Sequence, residues 1–215
     1  MENVMKQVEG GVCAAKGFSA NGLNCGLNPN KEKNDLALIY SEKMCNAAAV
    51  YTTNKVKGAP ILVTKKNLAA SGNHAQAVIA NSKNANTCNE DGEEKAAKMC
   101  ALAAEQLGIS ADNIIVASTG VIGQVLPIEP IETHIEQLAK GLAPEHHDRA
   151  ANAIMTTDTF PKEYAVTFTA GGKKCTIGGM AKGSGMIHPN MATTLNFVTT
   201  DAAVLTDLIQ KALSE

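Results

Sequence analysis

The chain has 215 residues, 45% apolar but only 3% aromatic and with no tryptophan, which is enough for one or two domains around an aliphatic core. Lys and Arg (19) nearly balance Asp and Glu (21), giving a formal net charge of −2 with the basic residues scattered. That excludes the basic patch of a nucleic-acid or membrane-surface binder. No apolar run is long enough to span a bilayer, and "MENVMKQVEGG" lacks the charged-then-apolar layout of an export signal, so a cytoplasmic protein is expected. The six cysteines (Cys13, Cys25, Cys45, Cys88, Cys100, Cys175) contain no C-x-x-C pair and read as free thiols.

In chain order, short apolar runs bounded by Gly, Asn, Lys or Ser predict strands over 35–41, 47–53, 60–64 ("PILVT") and 76–80. "GEEKAAKMCALAAEQLG" predicts a helix, with Ala96, Met99, Ala103 and Leu107 on one face and Gly108 at its stop. A strand is expected over 113–119, then helices over about 131–140, closed by Gly141, and about 145–155. "EYAVTFTAGGKKCTIGG" predicts a hairpin turning at Gly171-Gly172. A β-branched strand follows Thr193, and an amphipathic helix closes the chain. Hairpins rather than strict βαβ units favour an α+β fold, with mixed or antiparallel sheets layered with helices.

The most informative stretch is "MAKGSGMIHPNMATTLNFVTTD", residues 180–201. Glycines and the turn-prone Pro189-Asn190-Met191-Ala192 run straight into a strand that begins with Thr193. A threonine hydroxyl is a poor nucleophile at neutral pH unless a base takes its proton. An N-terminal threonine carries such a base in its own α-amine, whose pKa of roughly 7.7–8.0 suits the task. For an internal threonine this requires scission of the bond before it. Small, turn-prone residues on one side and a rigid strand on the other favour that reaction. The plainer alternative is a loop entering a sheet.

A second constellation is "VASTGVIG", residues 116–123, an apolar strand that breaks at Ser-Thr-Gly. Gly120 frees a backbone N–H and Thr119 adds a hydroxyl, the donors an oxyanion hole needs. An ordinary strand-to-loop turn has the same pattern.

With "GFSANG", "KNDLALI", "AAAVYTTN", "STGVIG" and "TTDTFPK", the junction "KGSGMIHPNMATTL" resembles the ornithine acetyltransferase (glutamate N-acetyltransferase) family of arginine biosynthesis, in order and spacing from about Gly10 onward. The resemblance implies that family's fold and a proenzyme that cuts itself between Ala192 and Thr193. Residues 1–192 would form the first chain and 193–215 the start of the second, whose remainder lies outside this sequence. It implies a ping-pong transfer, in which Thr193 takes the acetyl group of N-acetylornithine and passes it to glutamate. Thr119 and Gly120 would form the oxyanion hole, and Thr156, Lys182 and Thr193 would bind substrate. No metal or bound cofactor is implied, acetyl-CoA is an additional donor in bifunctional members, and the assembly is a heterotetramer of two α and two β chains. Two rivals stay open: a self-processing amidase or aminopeptidase with water as acceptor, and an inactive half awaiting its partner chain.

Other signals are weaker. His188 offers a base five residues before Thr193, or is a turn residue. His146-His147, with Glu145 and Asp148, superficially suggests a metal cluster, but adjacent helical positions diverge and a solvated face is expected. "GGMAKGSG" lacks the phosphate-loop arrangement. The Asn-rich segment 81–92 predicts a polar loop near the active cleft.

Overall fold

In the computed structural model, which describes residues 5–186 and 193–215, two four-stranded sheets face each other across a thin helical layer. The first sheet contains β2 (Phe18–Leu23), β3 (Leu36–Asn46), β4 (His74–Asn81) and β5 (Ile114–Ser118) in that order, with β4 and β5 parallel and the other pairs antiparallel. The second is wholly antiparallel, in the order β1 (Lys6–Gln7), β6 (Lys162–Ala170), β7 (Lys173–Lys182) and β8 (Leu195–Thr200). The architecture is α+β, as the hairpin-rich pattern predicts.

Helices α1 (Ala59–Ala70), α2 (Gly92–Leu107) and α3 (Glu129–Lys140) cover the outer face of the mixed sheet. Leu36, Leu38, Ile79, Ile114 and Val116 from the strands meet Met99, Ile131, Ile135 and Leu138 from the helices. Each fully buried Leu or Ile adds roughly 1.5–3 kcal/mol of hydrophobic burial. Between the sheets lies a second, smaller-residue core. Val12 and the alanines and Ile154 around α4 (His147–Ala153) pack on Ala20, Ile39 and Ala117 from one side and Met180 from the other. Small residues allow the close approach. A Cβ on Gly22 would collide with the Arg149 carbonyl, so α4 lies directly on β2.

The helix of residues 92–107 ends at Gly108 in the left-handed region, as its sequence predicts. The β6–β7 hairpin turns at Gly171 and Gly172, both at positive φ, the demand of a type I′ turn. The chain closes with α5 (Thr206–Ser214).

Two expected strands are absent. "PILVT" forms the first turns of α1, where Pro60, Val63, Thr64, Asn67 and Leu68 make the buried stripe. Pro is at home in a first helical turn, and the polar members of that stripe decide the outcome. Thr64 Oγ1 bonds both Val116 O (2.8 Å) and Val116 N (3.0 Å), and Asn67 Nδ2 donates to Ile114 O (2.9 Å). Strand β5 is a sheet edge, and α1 satisfies its open ladder. Residues 47–53 carry no regular structure, because β3 runs on to Asn46 and has used its pairing with β4. β1, of only two residues, and β2 are the strands not anticipated. "FSANGL" is too small and polar to signal one.

Candidate active site

The site is built where β5 ends. Parallel pairing brings Ser118 beside Asn81, the Asn81 carbonyl accepts the Thr119 N–H (3.0 Å), and Ser118 Oγ donates to Asn81 Oδ1 (2.6 Å). The chain then reverses at Gly120 with φ 138°. A Cβ there would overlap the Lys83 carbonyl and lie 2.6 Å from Asn84 N. Residues 83–85 run alongside 119–121: Val121 N donates to Lys83 O (3.0 Å) and Ala85 N to Val121 O (2.9 Å). This wall is the Asn-rich loop. Asn81 Nδ2 donates to Asn84 O, and Asn84 Nδ2 to the carbonyls of Gln124 and Val125. Lys83, Asn86 and Cys88 hold positive φ within it. Gly120 itself is exposed, and among the described residues no backbone carbonyl accepts its N–H.

From the other sheet, Lys182 closes β7 on the inner face, opposite Leu195 of β8. Its Nζ donates to Thr119 Oγ1 at 3.0 Å, and both residues are only 4% exposed. Burial pushes the Lys182 pKa below its ordinary value, and nearby Lys162 adds to this while Asp158 opposes it. The contact ties the two sheets together at the site.

Immediately after Lys182, Gly183 N donates to Asp158 Oδ1 (2.9 Å). The same oxygen accepts from Lys162 Nζ (2.6 Å), and Oδ2 accepts from Thr156 N (3.3 Å). Burial alone would raise the Asp158 pKa. The Lys162 hydrogen bond and the two backbone donors outweigh it and hold the carboxyl at about 2. Thr157 Oγ1 also bonds Ser184 Oγ (2.8 Å), so residues 156–158 grip the start of the junction. Asp158 is the residue sequence reasoning missed. Its signal was its place four residues before Lys162 within "TTDTFPK".

Asp158 also yields a stability prediction. Its carboxyl is depressed from 3.8 to about 2, and its side chain is shielded from solvent. A depressed carboxylate stabilises the fold above its unfolded pKa of roughly 4 and loses that contribution, about 2 kcal/mol, as pH falls through the folded value. Asp158→Asn should therefore unfold more easily at pH 7 and match the unsubstituted protein near pH 2. Equal chemical-unfolding midpoints at pH 7 would contradict this.

Thr193 lies in a turn two residues before β8, half-buried, with its hydroxyl donating to Met186 O (3.0 Å) and Gly185 O at 3.3 Å. The sequence-identified residues therefore meet around one segment. Lys182 reaches Thr119 directly, Thr156 reaches Gly183 through Asp158, and Thr193 reaches the carbonyls at 185 and 186 rather than Thr119. Ala192 and His188 lie outside the described residues.

Burial pushes the thiols of Cys13, Cys25 and Cys100 up to about 12, far from the thiolate a reaction needs. All six cysteines are free. Among the described residues no three His, Cys, Asp or Glu side chains converge as a metal set. His147 is not on a wholly solvated face: its Nδ1 pairs with Glu163 Oε1 (2.9 Å), linking α4 to β6, while His146 Nδ1 bonds Gly141 O (2.7 Å). Among the described residues no helix is long and apolar enough to cross a membrane.

Known proteins share this chain's sequence and fold. The chain is 51% identical over 213 residues to the arginine biosynthesis bifunctional protein ArgJ of Symbiobacterium thermophilum, covering 98% of this chain and 52% of that protein. It is 47% identical to the ArgJ of Listeria monocytogenes, covering 97% and 52%. The chain thus spans about half the length of the curated relatives it matches. The crystal structure of arginine biosynthesis bifunctional protein ArgJ from Bacillus halodurans superposes with a TM-score of 0.81 at 42% identity, over 89% of this chain and 100% of that one. Ornithine acetyltransferase from Mycobacterium tuberculosis, complexed with ornithine, gives 0.76 at 34% identity, over 85% and 97%. The family model for ArgJ matches residues 19–215, and with these relatives it shows that the chain belongs to the ArgJ family.

Proposed function

We propose that this chain carries the first part of an autoprocessing acetyltransferase that moves acetyl from N-acetylornithine to glutamate in arginine biosynthesis. The observation that carries the reading is the turn at Thr119–Gly120, where a buried hydroxyl held by Lys182 adjoins an exposed backbone N–H that no backbone carbonyl among the described residues accepts. Two such donors suit the negative oxygen of a tetrahedral acyl intermediate.

In the first step Thr193 Oγ attacks the Ala192 carbonyl carbon and the acyl group moves from nitrogen to oxygen. The shift breaks the C–N bond and leaves the Thr193 nitrogen as a free α-amine, and water then hydrolyses the ester to the Thr193 hydroxyl and an Ala192 carboxylate. This defines an α chain of residues 1–192 and a β chain beginning at 193. In the transfer, the amine takes the Thr193 hydroxyl proton as Oγ attacks the acetyl carbon, and returns it to the departing ornithine nitrogen. Glutamate's amine attacks the acetyl-threonine ester and leaves as N-acetylglutamate. Thr156 and Lys182 belong with Thr193 to the substrate-binding set. Nucleophile, base and oxyanion donors all come from the polypeptide, so we infer that no metal or bound cofactor is used, with acetyl-CoA as a further acetyl donor. We also propose a cytoplasmic enzyme in which two α and two β chains assemble.

Incubating the complete protein with N-acetylornithine and glutamate should give ornithine and N-acetylglutamate in equal amounts. Release of free acetate without N-acetylglutamate would favour the amidase reading and overturn this one.

A further inference from the structure

The exposed hydroxyls of Thr157 and Ser184 bond each other at 2.8 Å, yet neither has a task in the acetyl transfer. Their place in the fold concerns the scission instead. Lys182 pairs with Leu195, so the Ala192–Thr193 bond belongs to the connection between β7 and β8. Just beyond that last pair the two ends of the connection meet. Gly183 lies against Thr194, where an added Cβ would come 3.0 Å from Thr194 Oγ1. Thr193 Oγ1 donates to Met186 O (3.0 Å) and lies 3.3 Å from Gly185 O. Met186 holds a φ of 52°, which residues with a Cβ rarely adopt. The nucleophile thus spends its proton on a carbonyl and keeps both lone pairs for attack.

Those carbonyls orient the hydroxyl only if their own segment is fixed. Two consecutive ties fix it. Gly183 N donates to Asp158 Oδ1 (2.9 Å), and Ser184 Oγ meets Thr157 Oγ1. Residues 157–158 are in turn held to the start of β6, because Lys162 Nζ donates to Asp158 Oδ1 (2.6 Å).

We propose that Thr157 and Ser184 are positioning residues for the backbone scission rather than for acetyl transfer, working beside Asp158 to hold the carbonyls that orient the Thr193 hydroxyl. The inference rests on the self-cutting reading given above. In that step Thr193 Oγ bonds the Ala192 carbonyl carbon, the C–N bond breaks, and the hydroxyl proton goes to the leaving nitrogen. Water then hydrolyses the ester. Such an intramolecular attack depends on held geometry, and a misplacement of about 1 Å costs about 10²-fold. After the cut, residues 183–186 end the first chain and Thr193 begins the second. The pair then has no continuous backbone through which to place the nucleophile.

The test compares two rates in the complete protein. Precursor made by cell-free synthesis is followed by intact mass as it separates into two chains. Acetyl transfer is measured on enzyme already in two parts, co-expressed with the second chain beginning Met-Thr193 so that removal of the initiator methionine frees the amine. Thr157→Val and Ser184→Ala should each slow scission about five- to tenfold, the rate equivalent of one hydrogen bond. The double variant should be no more than about twofold slower than the slower single one, because both substitutions remove the same bond. Thr157→Ser keeps the hydroxyl and should cut within about twofold of the unsubstituted rate. In the two-part enzyme kcat and KM for N-acetylornithine should stay within about twofold in every variant.

Scission at the unsubstituted rate in either single variant, or losses that multiply fully in the double, would overturn the inference. So would a loss of transfer in the two-part enzyme as large as the loss of scission. An unsubstituted precursor that stays whole would instead overturn the self-cutting reading itself, and this inference with it.

Discussion

Thr193→Ala in the complete protein is expected to leave a single uncut polypeptide and to reduce acetyl transfer by at least about 10⁴-fold, to background. One substitution removes the attacking oxygen of both reactions. Without it the Ala192–Thr193 bond has no internal nucleophile, and without scission no α-amine exists to serve as base. Thr193→Ser keeps the hydroxyl and should retain cutting and measurable turnover. Intact-mass measurement together with N-acetylglutamate production reads both effects. Normal scission in Thr193→Ala would mean another group attacks the junction. The hydroxyl is already constrained, since it bonds the carbonyls at 185 and 186 of the segment that Asp158 anchors at Gly183.

Gly120→Ala is expected to impair both folding and catalysis. Its φ of 138° is one that residues with a Cβ rarely adopt, and the new carbon would overlap the Lys83 carbonyl. Strain of this kind costs about 1–3 kcal/mol, and the steric conflict adds a comparable amount unless the 83–85 strip moves away. Any such movement shifts the Gly120 N–H and the Thr119 hydroxyl together, so kcat should drop by about 10²-fold or more. Gly123→Ala is the matched control. Gly123 also has positive φ (79°), but a Cβ there meets nothing within 4 Å. It should cost about 1 kcal/mol with little change in kcat. Equal unfolding midpoints and rates for the two variants would show that the approach of Lys83 to Gly120 does not matter.

The features legible in the sequence were those with a local physical cause. Ala96, Met99 and Ala103 recur at helical spacing before a terminating glycine, and α2 buries all three. Two successive glycines between alternating runs fix the β6–β7 turn. "PILVT" failed because a five-residue apolar run has no period of its own. What makes it helical is Thr64 and Asn67 bonding to the edge of β5, about fifty residues away. β2 failed for the opposite reason, since a strand of small residues is defined by what lies on it: β3 at its side and α4 across Gly22.

The same division runs through the site. Thr119-Gly120 and Thr193 were identifiable from the chemistry their residue types permit at a strand end and a glycine-rich junction. Lys182 was singled out too, but its partner was not, because the bond to Thr119 joins positions 63 residues apart on separate sheets. Asp158 was overlooked because a carboxylate in a turn reads as a solvated charge. Its importance comes from Gly183 and Lys162 converging on one oxygen, and no sequence spacing encodes that.

The most direct measurement is peptide mapping by mass spectrometry of the complete enzyme after brief exposure to N-acetylornithine without glutamate. A peptide whose first residue is Thr193 should carry one acetyl group on its side-chain oxygen, and adding glutamate should remove it as N-acetylglutamate. Turnover by a protein whose Thr193 remains internal, or an acetyl group that accumulates on and leaves from a different residue, would contradict an N-terminal threonine nucleophile.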